Sequence, residues 1–185
     1  MRRSDALAIT LAILATACSG DGPTSVSPGA VPAVSAGAVT SANLVERPIA
    51  GRCSATIVSL DFVSPTRARE VVVGQCQIDR LGQSTTYLRQ IIDYTTFVGT
   101  SEELTFTAAN GDILRGSSLT VGTPTSPYTV NLAGRYTFAG GTGRFTHATG
   151  SADFTGAADF GAGTASWTLA GHIAYDASDR SAGGG

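Results

Sequence analysis

The sequence predicts an all-β protein in which short strands close into a single eight-stranded antiparallel β-barrel, with a two-sheet β-sandwich as the alternative. Three observations predict it. From about Ala50 to Tyr175 apolar and polar residues alternate over short runs, the period of a half-buried strand. Twenty-three glycines punctuate those runs, against a single methionine and a single tryptophan, which suits tight turns better than helices. Eight such runs follow one another with short connections, enough strands to close a barrel around packed side chains or one small ligand.

At 185 residues, 42% hydrophobic and 14% charged, the chain has room for one domain and little more. Its formal charge of −2 gives no concentrated basic face for phosphate, so no nucleic-acid partner is expected. All the basic residues are arginines, scattered along the chain.

Residues 1–17 read as a secretory signal: Arg2 and Arg3, a short apolar core from Ala6 to Ala15, then small residues. The apolar run is too short to span a bilayer. Leu14 to Cys18 resembles a bacterial lipobox, which implies acylation of Cys18 and a membrane partner through that lipid. Ser19 after the cysteine points to export across the inner membrane and anchoring in the cell envelope, at the outer membrane. Residues 18–48, rich in Ser, Pro, Gly and Ala, lack any sustained period and are expected to form a tether. The barrel domain is placed at 49–176, and 177–185 as a frayed tail.

The first two strands are expected at Cys53–Val63 and Arg69–Ile78, folding about a turn between Ser64 and Pro65. Cys53 and Cys76 are equidistant from that turn, and so are Val58 and Val71. A Cys53–Cys76 disulfide follows, leaving no odd thiol once Cys18 is acylated. In the chain-entropy account it contributes about 3 to 4 kcal/mol. A metal pair at the same cysteines lacks nearby histidines or further cysteines for a closed site. A bridge between neighbouring strands also argues against an immunoglobulin-type sandwich.

Further strands are expected at Ser84–Tyr94, Glu103–Ala109, Asp112–Val121, Tyr128–Phe138, Gly150–Phe160 and Thr164–Tyr175. Asn110-Gly111 is the strongest two-residue hairpin signal. Between the sixth and seventh strands lies FAGGTGRFTHATGSA, Phe138 to Ala152. Gly140, Gly141 and Gly143 suit positive φ in a tight reversal, and Gly150 suits a bulge or close approach. Phe145 is placed to plug one end of the barrel. The alternative for GGTG, a phosphate cradle, lacks the following Gly-Lys-Ser/Thr, and the chain contains no lysine.

Phe138, Gly140, Gly141, Thr142, Gly143, Arg144, Phe145, Ala148, Gly150 and Ala152 form a pattern, F-x-G-G-T-G-R-F-x-x-A-x-G-x-A, that resembles the C-terminal signature of dirigent proteins and the related allene oxide cyclase barrels. The resemblance covers about the last 60 residues. It implies an eight-stranded barrel with a ligand-sized lumen, and as alternatives a cyclase or coupling-guide activity in that lumen, or a trimeric homo-oligomer. It transfers no catalytic residue.

Candidate ligand-lining residues are Tyr87, Arg89, Trp167 and His172. In the last strand Ala165, Trp167, Leu169, Ile173 and Tyr175 share one face, either lumen lining or core, and His172 lies on the other. In the third, Tyr87, Arg89 and Asp93 share one parity, Leu88, Gln90, Ile92 and Tyr94 the other. If the first set faced inward, an arginine and a phenol would orient a ligand's carboxylate or hydroxyl; if outward, they are solvated. Glu102 and Glu103 are adjacent on a strand and should point to opposite sides. A metal site on His147 and His172 would need a carboxylate such as Asp153, and neither a metal nor another cofactor is expected. No nucleophile elbow is present. The expected function is a lipid-anchored, extracytoplasmic barrel that binds a small apolar ligand without catalysis or serves as a surface module; cyclisation and adhesion are the alternatives.

Overall fold

The computed structural model describes residues 44–176. The signal segment, Cys18, the tether up to residue 43 and the tail lie outside the described residues. Eight strands follow in order: β1 Leu44–Ser64, β2 Arg67–Ile78, β3 Gly82–Asp93, β4 Val98–Ala108, β5 Ile113–Pro124, β6 Thr129–Gly141, β7 Thr149–Asp159 and β8 Thr164–Asp176. Each pairs antiparallel with the next, and β8 pairs with β1, so the sheet closes into an eight-stranded antiparallel barrel. Closure leaves every strand two neighbours over most of its length and removes the free edges that an open sheet must protect.

The alternation of the sequence is the wall of the barrel. In β2 residues from Ala68 to Ile78 alternate buried and accessible without a break. Inward residues from all eight strands build one apolar core, while Gln75, Gln77, Gln83 and Thr85 lie on the outer face. The two ends differ. One carries the turns 79–81, 109–112 and 142–148 and is sealed by Phe145, which is 0% exposed and packs on Tyr175 with ring centroids 5.5 Å apart. The other carries the turns 65–66, 94–97, 125–128 and 160–163.

Phe145 is delivered by a single 3-10 turn, Gly143–Phe145, inside the glycine motif. Gly140 and Gly143 have φ of 79° and 54°, and Gly150 has φ of 137°, conformations that a side chain would strain. Gly141 departs from expectation: it has no positive φ, and is needed because a Cβ would strike the Ile113 carbonyl on β5. Arg144 pairs with Asp112 at 3.5 Å and lies over the Phe145 ring.

The Cys53–Cys76 disulfide is present, with Cα atoms 4.1 Å apart and both residues buried inside the wall. The turn that was expected to produce this pairing is shifted. Ser64 pairs with Arg67, so the reversal lies at Pro65–Thr66, and two irregularities in β1, at Val63 and Val58, restore the register by Cys53. Val58 is therefore unpaired at a bulge and does not face Val71, whose partner is Ser59. Three further corrections apply. β1 starts at Leu44, so residues 44–48 belong to the barrel instead of the tether. β4 begins at Val98. The Asn110-Gly111 hairpin is a three-residue loop, closed by the Ala108 N–H donating to Asp112 O, with Gly111 at φ 87°.

Candidate functional site

Phe145 plugs the closed end; the open end keeps a cavity. Above a floor of Tyr136 and Phe154, whose rings stack at 4.4 Å, the barrel keeps a cavity of about 60 Å³. At the ~30 Å³ that each water occupies in the liquid, that is room for about two waters, and a larger guest would extend toward the open rim. Its rim is aromatic: Phe62, Tyr94 and Phe97 form a chain of ring contacts at 5.7 and 6.1 Å, and Phe160 lines the cavity from the opposite turn.

Glu70, Gln90 and Trp167 stand in the cavity wall, each three residues in from the open end of its strand, at Arg67, Asp93 and Thr164 respectively. At the rise of a strand this places them ~10 Å below the rim. Glu70 and Gln90 face each other across the β2–β3 pair, and Gln90 Nε2 donates to Glu70 Oε2 at 2.5 Å. Glu70 is 3% exposed, and burial pushes its carboxyl above the ordinary range while the bond from Gln90 pulls it back in part. Gln90 Oε1 and Trp167 Nε1 are buried without a hydrogen-bond partner in the protein. Burial likewise raises the phenols of Tyr94 and Tyr136, with the Glu70 charge adding to the effect at Tyr94.

Of the residues singled out as ligand-lining from the sequence, Trp167 lines the cavity and the other three do not. Tyr87 belongs to the outward parity of β3, opposite the exposed Val73. Arg89 is outside too, 3.2 Å from Glu102 and 3.5 Å from Glu103. His172 is exposed on the outer face of β8, as is His147 beyond the glycine turn. The physical reason is common to Tyr87 and Arg89: with Leu88, Gln90 and Ile92 inward, a two-residue period sends their neighbours out.

Glu102 and Glu103 also differ from expectation. Arg89 pairs with Glu103 and Gln90 with Ser101, leaving Glu102 as an extra residue in β4. That bulge turns both carboxylates outward. Glu102 takes a bidentate bond from Arg69 at 2.8 and 2.9 Å, which holds its carboxyl below the usual range. The gap left in the β4–β5 ladder is bridged by Ser101 Oγ, which accepts the Ser118 N–H at 2.7 Å.

The residue that the sequence reading missed is Glu70. The signal was available: in REVVVGQCQI it shares the parity of Val72, Cys76 and Ile78, so a carboxylate sits in an otherwise apolar inward series. Among the described residues lining the cavity, Glu70 is the one Asp, Glu, His or Arg. No protein-family profile, curated protein or solved structure matches the chain.

Proposed function

We propose that the protein is a non-catalytic binding module whose barrel lumen takes up a small, largely apolar molecule. One observation carries this reading: two buried polar atoms, Gln90 Oε1 and Trp167 Nε1, stand unpartnered by protein in the wall of an apolar cavity. Buried polar groups in native proteins are nearly always satisfied, so an acceptor and a donor left open on a cavity wall mark where a bound molecule completes the structure. Trp167 is the sole tryptophan, so its emission reports occupancy directly. Titration with phenethyl alcohol should shift that emission saturably, and Ala165→Phe, which fills the lumen, should abolish the shift. Emission unchanged up to the solubility limit refutes lumen binding.

Anchoring belongs to the same proposal. The lipobox-like Leu14–Cys18 segment supports acylation of Cys18, and the 25 residues between Cys18 and Leu44 supply a tether to a barrel held off the envelope surface. In a bacterial host Cys18→Ser should move the protein from the membrane to the soluble fraction. Retention of that variant in the membrane rejects lipid anchoring through Cys18.

A second reading, an enzyme acting by proton transfer in the lumen, is favoured by one observation, the Glu70 carboxyl held above its ordinary range in an apolar cavity. It predicts turnover that Glu70→Gln removes while binding persists.

A further inference from the structure

Resting on the reading of the lumen as a binding site, we infer that its preferred occupant is a hydrophobic amine, seated with its ammonium N–H groups on the Glu70 carboxylate and Gln90 Oε1 and its apolar body against the aromatic wall. Three features of the cavity select that chemistry over its rivals.

The first is charge. A carboxyl that is 3% exposed is either matched by a cation or shifted toward its neutral form, and no basic side chain lines this cavity among the described residues. Gln90 Nε2 supplies a hydrogen bond but no charge. The neighbouring arginines, Arg69 and Arg89, are committed to Glu102 on the opposite face of the wall. A bound cation would fill the vacancy; a bound anion would face Glu70 in a low-dielectric space and be repelled.

The second is the second acceptor. Gln90 turns its amide nitrogen to Glu70, which leaves Oε1 as a buried acceptor in the same wall. An ammonium group brings three donors and no acceptor, and so satisfies both. Gly99 keeps the room for this arrangement, since a Cβ there would lie 2.9 Å from Gln90 Oε1.

The third is the ring wall. Tyr94, Tyr136, Phe154 and Trp167 line the same space, and the faces of such rings attract a desolvated cation as well as packing against an apolar body. An alcohol would use the acceptors but gain nothing from the carboxylate charge or the rings, so the order expected is amine, then alcohol, then carboxylate.

The proton balance follows. Burial shifts the Glu70 carboxyl toward its protonated form, and an amine arrives already as ammonium, which shifts it back. Binding leaves an ion pair, and at a pH where the empty barrel holds Glu70 protonated it releases that proton to solvent. The other ionisable groups sharing the cavity are the phenols of Tyr94 and Tyr136, both raised by burial and neutral through this range. Directly opposite Glu70, β1 offers Leu60 and β3 offers Gln90, neither of which titrates.

The test is calorimetric titration of the full chain with three probes that share one apolar body, phenethylamine, phenethyl alcohol and phenylacetate. The amine should bind at least roughly tenfold more tightly than the alcohol, phenylacetate weakest, and Glu70→Gln should erase the amine's advantage while the alcohol still binds. In the unmodified protein, amine affinity should rise with pH through the range in which Glu70 titrates and then level, with alcohol affinity not rising. Equal binding of amine and alcohol, an amine preference that survives Glu70→Gln, or a flat amine profile overturns the inference and leaves lumen binding standing. Failure of all three probes to bind overturns both.

Discussion

Glu70 gives the molecule a pH dependence opposite in sign to that of its ion-paired surface carboxylates. Its carboxyl lies above the ordinary value of 4.5 in the folded protein because burial disfavours the anion. Below the ordinary value both the folded and the unfolded chain hold the proton, and no penalty arises. As pH rises through it the unfolded chain ionises first, so stability falls until the folded-state pKa is passed, then levels. Glu70→Gln keeps the shape and the contact with Gln90 but has no proton to lose. Chemical denaturation across this range should show a variant that matches the parent in acid and exceeds it at neutral pH; a parental slope retained in the variant rules out Glu70 as its source. Arg69, Arg89 and Glu102 also form close ion pairs, but their exposure to solvent leaves them little weight in stability.

At the scale of elements, the β1–β2 hairpin carries two separate devices. Toward the closed end the disulfide ties the strands across a separation of 23 residues. Replacing both cysteines with alanine should cost about 3 to 4 kcal/mol in the chain-entropy account, read as a lower denaturation midpoint. An unchanged midpoint shows that the bridge adds nothing to the paired strands. Toward the open end β1 runs past the last β8 pairing at Thr56 and the Ile57 N–H bond to Gly163 O, so that residues 58–64 have β2 as their one partner strand. There Phe62 is 64% exposed yet stacks on Tyr94 at the rim. Phe62→Ala should change stability by less than about 1 kcal/mol, because little area is buried, while speeding release of a bound probe. Release at the parental rate in stopped-flow displacement shows that the rim does not gate entry. The cysteine pairing is legible in the chain, but the turn lies one residue later than turn chemistry suggests, and two bulges in β1 restore the register. A bulge reverses the alternation beyond it, but in β1 the extra residues sit beside other apolar ones, at Ile57–Val58 and Phe62–Val63, so the sequence does not mark which residue is extra. The same limit hid the Glu102 bulge, which decides that both glutamates face solvent.

The whole molecule is a barrel finished at one end only. Phe145 closes the glycine-motif end, in contact with a core that includes Leu81, Leu114 and Ile173. Phe145→Ala should cost about 3 to 5 kcal/mol, as expected for emptying a fully buried aromatic site. Thermal unfolding reads the loss; a small one, with the closed end repacked, shows that the plug is not needed for closure. Because β8 must return to β1 across the full length of the domain, folding should be slow for its size and should end in one cooperative transition.

The sequence by itself determined the all-β class, the order of the eight strands and the near-limits of six, the cysteine pair and the plugging role of Phe145. Each rests on local period, turn chemistry or pairing between adjacent strands, interactions that lie close together in the chain. Only the tertiary structure decided which parity of β3 faces inward, because Tyr87 and Arg89 make as plausible a strand face as Leu88 and Gln90 until closure gives the sheet an inside. Only closure, likewise, brings Glu70 of β2, Gln90 of β3 and Trp167 of β8 around one cavity: the three are separated by up to 97 residues, and what joins them is the β8–β1 seam rather than any spacing along the chain.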